Sequence, residues 1–261
     1  RALDKDAGEL TFDTLPLDYY VPGSAQSFYL RNNWGSSATV INLAMGYAVG
    51  ASHQHLDSGT FQIIRGDKWL SRETVGYSDT IAGYYKNAVD VRETISHNGI
   101  VFNGKGLAAA YADGPAKVTR LESKENYAYA AVDLSQAYRA HSSGYPDRDD
   151  NPYASHIERE FVFVRPLETL VVFDRLESSS EKIPAKDVIK TFITHFEQQP
   201  KIEGNSALGV NGNHALRLFT LLPSSPVLRV VNEKDFPNSP AKPYYQYRLE
   251  VDTKGESQSY F

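Results

Sequence analysis

Two histidines and a carboxylate fall within five residues of the run Ser52-His53-Gln54-His55-Leu56-Asp57-Ser58-Gly59-Thr60-Phe61. Side chains alternate between faces along an extended chain, so His53, His55 and Asp57 point one way and Gln54 and Leu56 the other. Three ligand-capable groups on one face are costly to bury without partners. A metal ion or a hydrogen-bonded active site supplies such partners. The competing reading is a solvated edge strand whose histidines merely alternate. Gly59 interrupts the polar face, and Phe61, Ile63 and Ile64 suit a buried strand. The histidines are therefore expected at the mouth of a sheet.

A metal needs ligands that converge from different strands, and zinc commonly takes two imidazoles and a carboxylate plus one further group. His55 offers one imidazole. The segment Trp69-Leu70-Ser71-Arg72-Glu73 brings a carboxylate back toward the same sheet end, and His97 opens another strand. His55, Glu73 and His97 form the expected ligand set, with Asp57 beside them to fix a histidine tautomer. Taken singly, each has an ordinary explanation: a solvated glutamate, a turn histidine before Asn98-Gly99. His195, in Thr194-His195-Phe196, reads as a core histidine satisfied by its neighbours. Tyr84 and Tyr85 read either as packing residues or, beside a metal and a histidine, as proton-transfer groups.

The elements that must position these residues are short. Strands are expected at 27–31, 40–45, 60–64, 68–70, 100–102, 118–122, 127–134, 161–164, 170–174, 188–196, 207–210, 215–222, 227–231 and 244–251. Arg65-Gly66-Asp67 and Asn103-Gly104 carry turn signals. Residues 77–97 show no clear periodicity, and 138–154 read as the longest loop. No stretch keeps a sustained helical stripe. Regular short strands between turn signals argue an all-β sandwich, and residues 1–261 are read as one domain.

Composition narrows the function classes. The chain has 261 residues, 41% hydrophobic, with a net charge of -5. Nothing in that balance marks a nucleic-acid binder, although gathered Arg and Lys can still meet an anionic polymer. It has no cysteine, which removes disulfides and thiol chemistry. No apolar run approaches the roughly 20 residues of a membrane span. Seventeen Tyr and twelve Phe favour strands, and exposed aromatics form platforms for sugar rings. Both ends read as cut, so a piece of a longer chain is expected.

The ordered set of motifs resembles the heparinase II/III-like polysaccharide lyases, which include oligoalginate lyases. The matching pieces are the Trp-bearing segment Leu30-Arg31-Asn32-Asn33-Trp34, the run His53 to Phe61, the hairpin Gly66 to Glu73, and Tyr84-Tyr85. His97-Asn98, Val171-Val172-Phe173-Asp174-Arg175-Leu176 and Phe192 to His195 follow in order. The resemblance implies a large antiparallel super-β-sandwich, with the family's N-terminal helical toroid absent from this chain. It implies β-elimination on a polysaccharide containing uronic acid, such as alginate or a glycosaminoglycan, in the periplasm or outside the cell. It implies zinc held by His55, an acidic residue and His97; the family usually has Asp where this chain has Glu73. It places His53 at the catalytic cleft with Tyr84 or Tyr85, and assigns Arg31, Trp34 and Gln54 to substrate binding. In such chemistry the uronate carboxylate is neutralised, a base removes the C5 proton, and an acid protonates the departing 4-linked sugar. Two other functions stay open: a non-catalytic carbohydrate-binding sandwich with a structural metal, and a metal-dependent glycan hydrolase.

Overall fold

A computed structural model describes residues 12–23, 26–46, 55–73, 80–84, 88–108, 116–139, 151–232 and 247–261. In chain order the strands are β1 (Asp18–Val21), β2 (Ser27–Arg31), β3 (Thr39–Ala44), β4 (Thr60–Arg65), β5 (Lys68–Ser71), β6 (Thr80–Ala82), β7 (Ala88–Asp90), β8 (Ile100–Phe102), β9 (Lys117–Ser123) and β10 (Tyr127–Asp133). After the single-turn helix α1 (Ser135–Arg139) come β11 (Ala154–Val164), β12 (Thr169–Ser178), β13 (Lys190–Phe196), β14 (Lys201–Glu203), β15 (Ser206–Asn211), β16 (His214–Phe219), β17 (Val227–Asn232), β18 (Tyr247–Thr253) and β19 (Gln258–Tyr260).

The chain is mostly β, but the large super-β-sandwich expected from the motifs is not what these strands build. They divide among small sheets of order β1-β2-β3-β4-β5, β19-β12-β11-β10-β9, β17-β18-β13-β8, β14-β15-β16 and β6-β7. The sheets form a four-bladed, propeller-like ring. The reason lies in what alternation encodes. A period of two says which face of a strand is buried and is silent on which sheet the strand joins. Strands of three to seven residues, which most of these are, leave that choice to tertiary packing.

Within each sheet the local logic is direct. In β3 the burial alternates strictly: Thr39, Ile41 and Leu43 point inward, while Val40, Asn42 and Ala44 do not. Phe28, Leu30, Ile41, Leu43, Phe61 and Ile63 from the first sheet meet Phe161, Phe163, Phe192, Leu249 and Val251 from two others in one core. A smaller cluster of Ile81, Val91, Ile95, Val101 and Ile193 packs against Tyr84 and Val89. The β4–β5 hairpin turns through Gly66 at φ +56°, a left-handed conformation that glycine adopts without penalty. The longest hairpin, β11–β12, turns through Arg165–Leu167 and Glu168. Strands β6 and β7 arise in a segment without apolar alternation; three-residue strands are too short to show a period.

Candidate metal centre

The cluster is assembled from three chain segments that end near one another. His55, Leu56 and Asp57 lie on the approach to β4. Leu56 is buried in the core, and its backbone N–H donates to the Arg92 carbonyl at 2.8 Å. That anchor turns His55 and Asp57 to the opposite side, as the alternation required. Gly59 then takes φ +82°, and a Cβ there would lie 2.5 Å from a Leu134 methyl. Only glycine lets the approach pass beneath Leu134. Glu73 lies two residues beyond β5. His97 and Asn98 follow a 3-10 turn at Thr94–Ser96 that leads into β8.

His97 is the middle of a line. Its Nε2 lies 3.2 Å from His55 Nδ1, and its Nδ1 lies 3.1 Å from Glu73 Oε2. The other Glu73 oxygen accepts the Asn98 backbone N–H at 3.1 Å. All three expected ligands are thus brought together, with His55 and Glu73 on opposite ring nitrogens of His97. Donor atoms of Asp57, Glu73 and His97 all lie within 4.8 Å of one another. These three residues could hold one metal ion. Asp57, expected beside the ligands, belongs to this convergent group.

The electrostatics suit a cation. Burial pushes the Glu73 carboxyl up to about 8 and the Asp57 carboxyl up to about 6. Burial also pushes His97 below its ordinary value. Glu73 and His97 are 6% and 1% exposed, so water cannot solvate their charges. The cation whose charge acts on Glu73 is Arg159, and it is already committed. Its Nε and Nη2 donate to the two Asp174 oxygens at 2.6 and 3.0 Å. Its Nη1 donates to the Gly59 and Asn98 carbonyls at 2.7 and 2.8 Å. Two crowded carboxylates beside an imidazole, with the neighbouring guanidinium in use, fit a divalent cation.

Asn98 ties this group to three sheets. Its amide donates to the Phe61 carbonyl and to Ser71 Oγ, at 2.5 and 2.8 Å. Its Oδ1 accepts the His195 backbone N–H at 2.8 Å. The His195 ring lies between Asn98 Oδ1 and the Ile95 carbonyl, at 3.0 and 3.2 Å; it is the bonded core histidine expected. Arg159 and Asp174 were not singled out as site residues. A signal existed: each interrupts an inward apolar row, Ile157-Arg159-Phe161 on β11 and Val172-Asp174-Leu176 on β12. Directly opposed in the ladder, they form a buried cross-strand pair.

Of the other expected site residues, three are described: Tyr84, Arg31 and Trp34. The Tyr84 hydroxyl donates to Asp252 Oδ2 at 2.9 Å, and the Arg229 guanidinium sits 4.6 Å from its ring centre. Arg31 stacks on Trp34 at 3.6 Å. Both stand at the opposite end of the first sheet from the cluster, because Arg31 pairs with Val40 and Ser27 with Ala44, which pairs with Thr60. At about 3.3 Å per residue the two ends, four residues apart, are about 13 Å apart. His53, Gln54 and Tyr85 lie outside the described residues.

No protein-family model matches the chain, and no curated protein matches it. Among solved structures it is similar to the crystal structure of heparinase III, with a TM-score of 0.61 and 13% identity. The match covers 91% of this chain and 35% of the heparinase III chain. The chain therefore has a heparinase-like fold and corresponds to about a third of that neighbour's length.

Proposed function

We propose that this chain is the β-rich part of a polysaccharide lyase that cleaves a uronate-containing polysaccharide by β-elimination, with zinc held by Asp57, Glu73 and His97. The observation that carries the reading is the convergent, charge-deficient donor group, set in a fold that also serves a heparinase. The ion's role follows from burial. Structural zinc sites are closed, whereas hydrolytic ones keep a position open for water. A group as enclosed as Glu73 and His97 favours an ion that fixes the segments and orients histidines over one that activates water. This weighs against the hydrolase alternative.

In this reading His55, half-exposed and in line with His97 and Glu73, faces the cleft side of the cluster. His53 acts on the substrate, and Tyr84 or Tyr85 moves the proton. Tyr84 would have to exchange its Asp252 partner to do so. Arg31, Trp34 and Gln54 contact sugar, and the protein works in the periplasm or outside the cell. The test is product formation. The full protein, loaded with zinc, is given alginate or heparan sulfate, and unsaturated uronide is followed by near-ultraviolet absorbance. Absorbance that grows with zinc and stops after chelation supports the proposal. Reducing ends without absorbance would mean hydrolysis, and binding without either would mean a carbohydrate-binding domain.

A further inference from the structure

The outward face of the first sheet carries a row of side chains that the site above does not use. Tyr19 pairs with Tyr29 across β1 and β2, Tyr29 with Asn42, and Asn42 with Gln62. The residues flanking them along each strand, such as Phe28, Leu30, Ile41, Leu43, Phe61 and Ile63, point into the core. The row therefore runs straight across four strands on one surface. Neighbouring strands lie about 4.8 Å apart, so it spans about 14 Å. Tyr19 and Tyr29 are 68% and 44% exposed. No hydrogen bond joins any of the four side chains to another described residue. Two residues further along β2, on the same face, the Arg31 guanidinium lies over the Trp34 ring and has no carboxylate partner among the described residues.

We infer that this face is a second glycan-binding surface, which takes an anionic oligosaccharide laid across the strands, apart from the buried cluster. The chemistry is complementary at each point. Two adjacent phenol rings offer apolar faces to the C–H side of pyranose rings, with hydroxyls at their rims. The Asn42 and Gln62 amides both donate and accept, as a sugar's hydroxyls require. The outward positions of β1 to β4 hold one charge, that of Arg31, and no carboxylate. On a chain of net charge -5 this is a place where a polyanion escapes repulsion. A planar guanidinium braced by an indole is ready for a carboxylate or sulfate. The inference takes from the proposed function the acidic character of the glycan and the sugar contact at Arg31 and Trp34. It does not require that the chain cleave it.

The test is electrophoresis of the full chain through gels containing alginate, heparan sulfate or neutral dextran. Retardation is expected in at least one acidic gel and not in dextran. The double variant Tyr19→Ala/Tyr29→Ala should weaken it about tenfold or more. Arg31→Gln should weaken it and flatten its dependence on salt. Both changes are on the surface, and unchanged melting temperatures establish that the fold is kept. Phe219→Ala, at an exposed aromatic on β16 in another sheet, should leave retardation as it was. Absence of retardation in both acidic gels, or equal retardation of the double tyrosine variant, overturns the inference. Loss with Phe219→Ala and retention with the double tyrosine variant does so too, while leaving the lyase reading intact. Tyrosine-dependent retardation without unsaturated product would establish the face and refute the lyase.

Discussion

Glu73 is where residue-level chemistry makes the sharpest claim. Its carboxyl moves from an ordinary 4.5 to about 8 in the fold, chiefly through burial. Between those values the folded chain holds a proton that the unfolded chain has released, so raising pH favours unfolding. Asp57 acts with the same sign, but only up to about 6. His97 acts with the opposite sign, its folded value lying below 6.5, so its contribution is complete by 6.5. Among the three, Glu73 alone titrates from pH 6.5 to 8. Chelator-treated protein should lose melting temperature across that window, and Glu73→Gln should flatten the slope. An equal slope in the variant would assign the effect elsewhere. A second comparison separates a metal ligand from a substrate residue. His97→Ala should lose bound zinc and melting temperature together, because metal binding is coupled to folding. His53→Ala should keep both and, if the proposed function holds, lower turnover about 10²–10⁴-fold. Zinc loss as complete in His53→Ala would reverse the two roles.

Elements matter because the cluster has no scaffold of its own. Asp57 hangs before β4, Glu73 after β5 and His97 before β8. Arg159 on β11, held by Asp174 opposite it on β12, reaches across to hold the Gly59 and Asn98 carbonyls beside that group. Arg159→Met should strand the buried Asp174 charge and cost about 3–5 kcal/mol, the scale for breaking a buried ion pair. Arg159→Met/Asp174→Leu removes the stranded charge and should recover part of that loss. Recovery stays partial, because the two carbonyls still lose their donor. Denaturant unfolding of the two variants measures both numbers. Complete recovery would mean that the carbonyl contacts contribute nothing to stability.

At the scale of the whole molecule, small sheets surround a shared core, and the metal group sits where segments from different sheets meet. An ion there acts as a cross-link that exists only in the folded state. One zinc ion per chain should therefore stabilise the fold by RT ln(1 + [L]/Kd), with the melting temperature climbing as free zinc rises. At a hundredfold excess over Kd this is about 2.7 kcal/mol. Thermal melts against zinc, with Glu73→Gln as control, read this directly. A rise of the same size in the control would place the stabilising ion elsewhere.

How far the sequence reached is best judged at particular residues. Glu73 and His97 were readable as partners, because carboxylates and imidazoles near strand ends keep their chemistry in any fold. The β4–β5 and β11–β12 hairpins were readable because apolar strands flank a Gly-bearing turn in one and a Pro-bearing turn in the other, and both are local. Apolar alternation determined the inward faces, including those of β2 to β4. What tertiary structure alone decided was assembly. It split the strands among small sheets instead of one super-sandwich, because pairing across distant segments depends on packing that periodicity does not encode. It carried Arg31 and Trp34 to the far end of the sheet from the cluster, and it gave the Tyr84 hydroxyl to Asp252, 168 residues away. It also drew Asp57 into the convergent group with Glu73 and His97. Distances between side chains on different segments are set only when the core closes, and burial then sets their charges.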